Sequence, residues 1–84
     1  MDEVVIIDVS ALYSETGLAK LSELANYEAE VLAKAGTGKI VVLTGSGPIW
    51  LYLRLAHALH GKVKKLVYSS PATGEVVIFD HDPF

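Results

Sequence analysis

The stretch Lys39-Ile40-Val41-Val42-Leu43-Thr44-Gly45-Ser46-Gly47-Pro48-Ile49-Trp50-Leu51-Tyr52-Leu53-Arg54-Leu55-Ala56-His57-Ala58-Leu59-His60 leaves this chain few folds to choose from. A β-branched apolar run enters a glycine-rich turn and leaves it with helical spacing, the local order of a strand-to-helix crossover. Gly45 and Gly47 permit positive φ and close approach to the backbone, and Pro48 suits the first helical position because its missing N–H has no helical partner there. The turn is therefore a candidate anion seat. On a helical wheel, Ile49, Leu51, Tyr52, Leu55, Ala56, Ala58 and Leu59 are expected on one broad apolar arc. Trp50, Leu53, Arg54, His57 and His60 are expected on the other.

The flanking segments extend the pattern. Val4-Val5-Ile6-Ile7-Asp8-Val9 predicts a strand covered on both faces or lying in the middle of a sheet. A polar connection from Ser10 to Gly17 follows, with Ser14 or Thr16 as candidate caps for a helix from Leu18 to Ala35. That helix should bury Leu21, Leu24, Ala25, Val31, Leu32 and Ala35 and stop at Gly36. Glu28 interrupts its apolar stripe, and a helix bend or an oligomer rim is preferred to a paired role. Ala35-Gly36-Thr37-Gly38-Lys39 is not a Walker loop, since Lys39 enters a strand where that motif requires a helix. Lys65-Leu66-Val67-Tyr68 and Glu75-Val76-Val77-Ile78-Phe79, separated by a Pro- and Gly-containing turn, predict a hairpin. The expected architecture is a single α/β (α+β) domain over residues 1–84, ordered β-α-β-α-β-β, with both helices on one face of a mixed sheet.

Size and charge narrow the function. A chain of 84 residues buries only about 60% of its unfolded surface, so a homodimer or higher homo-oligomer is expected. No apolar run approaches the roughly 18 to 20 residues that span a bilayer, and Asp2 and Glu3 do not suit a signal peptide, so a cytoplasmic protein without a membrane partner is expected. With no cysteine, any metal must be held by His, Asp, Glu or backbone oxygen. The net charge of −3 argues against long DNA as a partner. Arg54, Lys62, Lys64 and Lys65 still lie close enough in sequence to make a local basic patch, which fits a small anionic ligand.

Three features carry chemistry. His57 and His60, three apart on a helix, can share a metal, bracket a phosphodiester or act as acid and base near neutral pH. Asp80-His81-Asp82 places hard-metal ligands directly after a strand, and Trp50 can stack on a base. Exposed helix residues, a solvated tail and an interface tryptophan account for the same three patterns.

Gly45-Ser46-Gly47-Pro48-Ile49-Trp50-Leu51, Leu55-Ala56-His57-Ala58-Leu59-His60, Tyr68 with its turn, Gly74-Glu75-Val76-Val77-Ile78 and His81 resemble, in order and spacing, the CRISPR-associated Csx-three family. The resemblance implies a small ferredoxin-like variant that accompanies type III CRISPR systems and forms dimers. It further implies a manganese-dependent ring nuclease (a phosphodiesterase) that degrades the second messenger cyclic tetra-adenylate, a cyclic oligoadenylate, with two dimers sandwiching one messenger. Carried over by position, it implies His57, His60 and His81 as catalytic residues, and His60 and His81 as Mn²⁺ ligands. Gly45, Ser46, Gly47, Pro48, Trp50, Arg54, Ser69 and Ser70 become expected contacts to the messenger or a short RNA. Ser46 stands where the family has arginine, Tyr52 where it has histidine, and Tyr68-Ser69-Ser70-Pro71-Ala72, with one extra residue, where a Tyr-Asp-Pro-Arg turn supplies an acid and an arginine. Asp80 or Asp82 is then the expected replacement for the missing metal-binding acid. The alternative is a catalytically degenerate protein of the same family that binds the messenger or assembles without cleaving it.

Overall fold

The computed structural model describes residues 3–81. The main elements are β1 (Val4–Asp8), α1 (Leu24–Ala35), β2 (Ile40–Thr44), α2 (Ile49–Leu59), β3 (Lys65–Ser70) and β4 (Gly74–Asp80), so the expected β-α-β-α-β-β order holds. The strands lie side by side in the order β1-β2-β3-β4. The β1/β2 and β2/β3 pairs are parallel and the β3/β4 pair is antiparallel. Connection length dictates this, because a helical crossover can return the chain to the same end of the sheet whereas the short turn between β3 and β4 can only reverse it. Both crossovers advance in one direction, so α1 and α2 share one face.

That face holds the core. Ile7, Val41, Leu43 and Leu66 from the sheet meet Leu24, Tyr27, Val31 and Ala35 of α1 and Leu51, Leu55 and Leu59 of α2 in one buried cluster. The three α2 leucines, spaced by four, are each 0% exposed. The other sheet face carries Val4 at 53% and Ile6 at 70% exposure. The expectation that the first strand is covered on both faces or lies mid-sheet is therefore corrected: β1 is an edge strand covered on one side.

Two local expectations also give way. The helix predicted from Leu18 starts at Leu24, preceded by 3-10 turns at Val9–Tyr13 and Leu21–Glu23. Thr16 caps nothing: its hydroxyl donates to the carbonyls of Tyr13 (3.4 Å) and Leu18 (3.0 Å) and so knits a turn that ends in Gly17 at φ +75°. Leu21, expected in the buried stripe, is 68% exposed as a result. Glu28 takes the paired role instead: its carboxylate meets the Arg54 guanidinium of α2 at 3.3 Å and ties the two helices together.

Candidate functional site

The carboxyl ends of β1, β2 and β3 form one edge of the sheet, and the glycine turn sits in its middle. Gly45 has φ +98°, and a Cβ there would run into the Asp8 carboxylate at the end of β1. A side chain is excluded twice, by conformation and by space. Gly47 differs from the sequence expectation of positive φ, since its requirement is close approach alone. A Cβ would meet Val9 Cγ2 at 3.0 Å and the Tyr13 hydroxyl at 3.1 Å. Pro48 is the cap residue rather than the first helical one, with ψ 150° holding it extended before Ile49.

Two phenols fasten the turn from opposite sides. The Tyr13 hydroxyl donates to the Ser46 carbonyl at 2.6 Å, and the Tyr52 hydroxyl donates to the Gly45 carbonyl at 2.7 Å. Burial, then the Asp8 carboxylate and Tyr27, push the Tyr13 phenol above its ordinary value of 10.0. Burial, then Tyr68 and Tyr13, do the same for Tyr52, with the Gly47 backbone pulling the other way and Asp8 adding a small rise. Both phenols are therefore held in the protonated, donating form around neutral pH, which keeps the turn latched there. Ser69 and Ser70 stand at the same edge: the Ser69 carbonyl accepts from the Thr44 hydroxyl at 3.1 Å, and the Ser70 hydroxyl accepts from the Ala72 amide at 3.2 Å. An open groove runs from Ser46, Gly47 and Pro48 past Trp50 to Ser10 and Leu18.

The histidines lie at the other edge. His60 ends α2, its amide donating to the carbonyls of Ala56 (3.1 Å) and His57 (3.3 Å), after which ψ 126° turns the chain out of the helix. Its ring meets His81 edge-on at 4.8 Å between centroids and Phe79 at 5.1 Å, and Phe79 lies 4.9 Å from His81. The His81 amide donates to the Lys64 carbonyl at 2.7 Å, which fixes the backbone after β4. Asp80 is in register with Lys65, and His57 is exposed on the last turn of α2. Since α2 has 11 residues at 1.5 Å each, the glycine turn and His60 stand about 16 Å apart along its axis.

The expected site residues thus divide into two groups. Gly45, Ser46, Gly47, Pro48, Trp50, Ser69 and Ser70 gather at the carboxyl edge, while His57, His60, His81 and Asp80 gather at the opposite one. Arg54 joins neither, because Glu28 holds it on the flank of α2 that faces α1. Among the described residues no three His, Asp or Glu side chains cluster to hold a metal. Two touching imidazoles fall short of the oxygen-rich set that Mn²⁺ prefers, so one chain's described residues do not fit a manganese site. Asp82 lies outside the described residues.

Sequence reasoning missed Asp8, Tyr13 and Tyr52 as the frame of the glycine turn. Asp8-Val9-Ser10 does carry a signal, an Asx-type turn. The Asp8 carboxylate accepts from the Ser10 amide at 2.9 Å and from its hydroxyl at 2.6 Å. The tyrosines carry none, since Tyr13 and Ser46 are 33 residues apart. Among the described residues no helix is long and apolar enough to cross a membrane.

No curated protein and no solved structure matches the chain. A family model described as CRISPR-associated protein (Cas_csx3) matches residues 17–83. The match takes in the glycine turn, α2, the β3/β4 hairpin and His81, and leaves β1 and Asp8–Tyr13 outside. Spanning well over half of the sequence, it establishes that the chain belongs to the CRISPR-associated Csx-three family.

Proposed function

We propose that this protein binds a cyclic oligoadenylate, cyclic tetra-adenylate, at its glycine-turn edge and cleaves it as a ring nuclease with histidines supplied by another copy. The observation that carries this reading is the separation of the two groups. A phosphodiester seated at Gly45–Gly47 is beyond reach of His60 and His81 of the same chain, whereas edge-to-edge contact of two copies brings seat and imidazoles together. The seat contributes backbone amides and the positive end of α2, and Trp50 a stacking surface. In the cleavage step the ribose 2′-oxygen attacks phosphorus while the bond from phosphorus to the 5′-oxygen breaks. One imidazole takes the 2′-hydroxyl proton, and the other, protonated, gives one to the departing 5′-oxygen. The products are a 2′,3′-cyclic phosphate and a free 5′-hydroxyl. Homo-oligomerisation is part of this proposal, because the site is incomplete in one copy.

A second reading, binding without turnover, is favoured by Ser69 and Ser70. They stand before Pro71 where the family resemblance expects an acid, and Ala72 follows it where an arginine is expected. Incubation of the pure protein with cyclic tetra-adenylate, with and without Mn²⁺, separates the two when bound and cleaved species are resolved. The nuclease reading expects a linear product that accumulates over many turnovers. Retention of an intact ring over hours, under both conditions, would select the binding reading, and absence of binding would exclude both.

A further inference from the structure

The edge of the sheet that carries the histidines also gathers the chain's positive charge. Lys39 leads into β2, Lys62 and Lys64 lie in the connection from α2 to β3, and Lys65 opens β3. Backbone hydrogen bonds weave these segments into one patch. The Gly38 amide donates to the Lys62 carbonyl at 2.9 Å, the Lys64 amide to the Lys39 carbonyl at 3.0 Å, and the His81 amide to the Lys64 carbonyl at 2.7 Å. Four of the seven Lys and Arg residues in a chain of net charge −3 therefore stand at the edge where His60 meets His81. The basic patch expected from the sequence is present, with Lys39 in the place of Arg54, which Glu28 holds elsewhere. Acids match it only in part. Glu3 pairs with Lys39 at 3.4 Å and Asp80 stands across from Lys65, whereas Lys62 is exposed and makes no ion pair among the described residues.

We propose that this edge is a second anion subsite, with Lys62, Lys64 and Lys39 holding the phosphates that flank the phosphodiester on which His60 and His81 act. The proposal rests on the function proposed above and adds a binding surface to it. The glycine turn alone is short of cations, since no Lys or Arg among the described residues lines its groove. The Asp8 carboxylate lies against Gly45 and adds charge of the wrong sign there. A ring of four nucleotides carries four phosphodiester charges, so one phosphate in the turn leaves three to be met elsewhere. An acidic chain attracts them only where its own cations are concentrated, and that is the histidine edge. Lysine suits the task, because a point charge on a flexible stem follows a phosphate backbone without demanding one fixed geometry. The stems here start from a braced backbone, so the charges stay beside the imidazoles. Contacts of this kind set register and carry no base preference, which leaves reading of the bases to other residues.

Equilibrium binding of cyclic tetra-adenylate to the full chain, measured from about 50 to 200 mM NaCl, tests this through its salt dependence. The variants are made on a His60→Ala background so that the ring stays whole, with circular dichroism to confirm folding. Lys62→Gln is expected to lower affinity about 10-fold at the low-salt end. It should also make the plot of log affinity against log salt shallower by about 0.7, the share of one phosphate contact on a single strand. Lys62→Arg should restore both. Lys34→Gln removes the same charge from α1, where Glu30 already pairs with it at 3.3 Å, and should leave the slope unchanged. Lys62 is exposed, so its replacement does not put folding at risk. An unchanged slope in Lys62→Gln, or an equal change in Lys34→Gln, overturns the subsite while the proposed function stands. Absence of binding by the wild-type chain at every salt concentration overturns the two together.

Discussion

Replacing His60 by alanine is expected to lower cleavage of cyclic tetra-adenylate by about 10²- to 10⁴-fold, the range that positioned proton transfer contributes. Most of the binding should persist. The ring is exposed and touches only Phe79 and His81 among the described aromatic contacts, and the end of α2 is held by the His60 amide rather than its side chain. The fold therefore survives the change. Binding is expected to survive because seat and imidazole lie at opposite edges, and amide contacts to phosphate do not need the histidine. Single-turnover cleavage and equilibrium binding of the same ligand measure the two separately. Equal losses in both would place His60 in ligand binding, and undiminished cleavage would remove it from the reaction.

The largest stability effect is expected at Leu55. Its side chain is 0% exposed and sits between Leu51 and Leu59 against the sheet. Truncation to alanine combines lost burial with a cavity, about 2 to 5 kcal/mol for leucine. Domains in general have only about 5 to 15 kcal/mol to lose, and small ones bury proportionally less surface. Leu55→Ala should leave this protein barely folded at room temperature. His57→Ala, two residues away and exposed on the last turn of α2, should change stability by no more than about 0.5 kcal/mol. Urea unfolding at one fixed protein concentration compares them, since an oligomer's stability depends on concentration. Similar losses in both variants would mean that α2 is not seated as described.

The sequence carried the element order because each element announced itself locally: β-branched runs for the strands, four-residue leucine spacing for α2, glycine stops and the Pro- and Gly-containing hairpin. The start of α1 was less legible. Leu18, Leu21 and Leu24 keep helical spacing across a segment whose turns are 3-10, and the hydroxyl of Thr16 closes a turn that a capping rule cannot tell from a helix start. Pairing across the fold was not legible at all. Glu28 broke an apolar stripe, yet its reason, Arg54, lies 26 residues away on the other helix. The glycine turn was recognisable as a tight turn, whereas its two phenol latches come from Tyr13 and Tyr52 on different elements. His60 and His81 meet within one chain because β4 runs antiparallel to β3 and ends where α2 ends. That meeting follows from strand direction rather than from spacing, so no local pattern in the sequence announces it.

The claim that seat and histidines act from different copies is tested most directly by mixing two inactive variants. His60→Ala keeps the seat and loses the imidazole. Ser46→Glu keeps the imidazole and places a carboxylate on the exposed tip of the glycine turn, where it repels phosphate without disturbing the backbone carbonyl that Tyr13 holds. Each alone should leave cyclic tetra-adenylate intact, and an equal mixture should regain cleavage, because the seat of one variant can meet the histidines of the other. A mixture as silent as its parents, with wild type cleaving alongside, would contradict the account and return both halves of the site to a single copy.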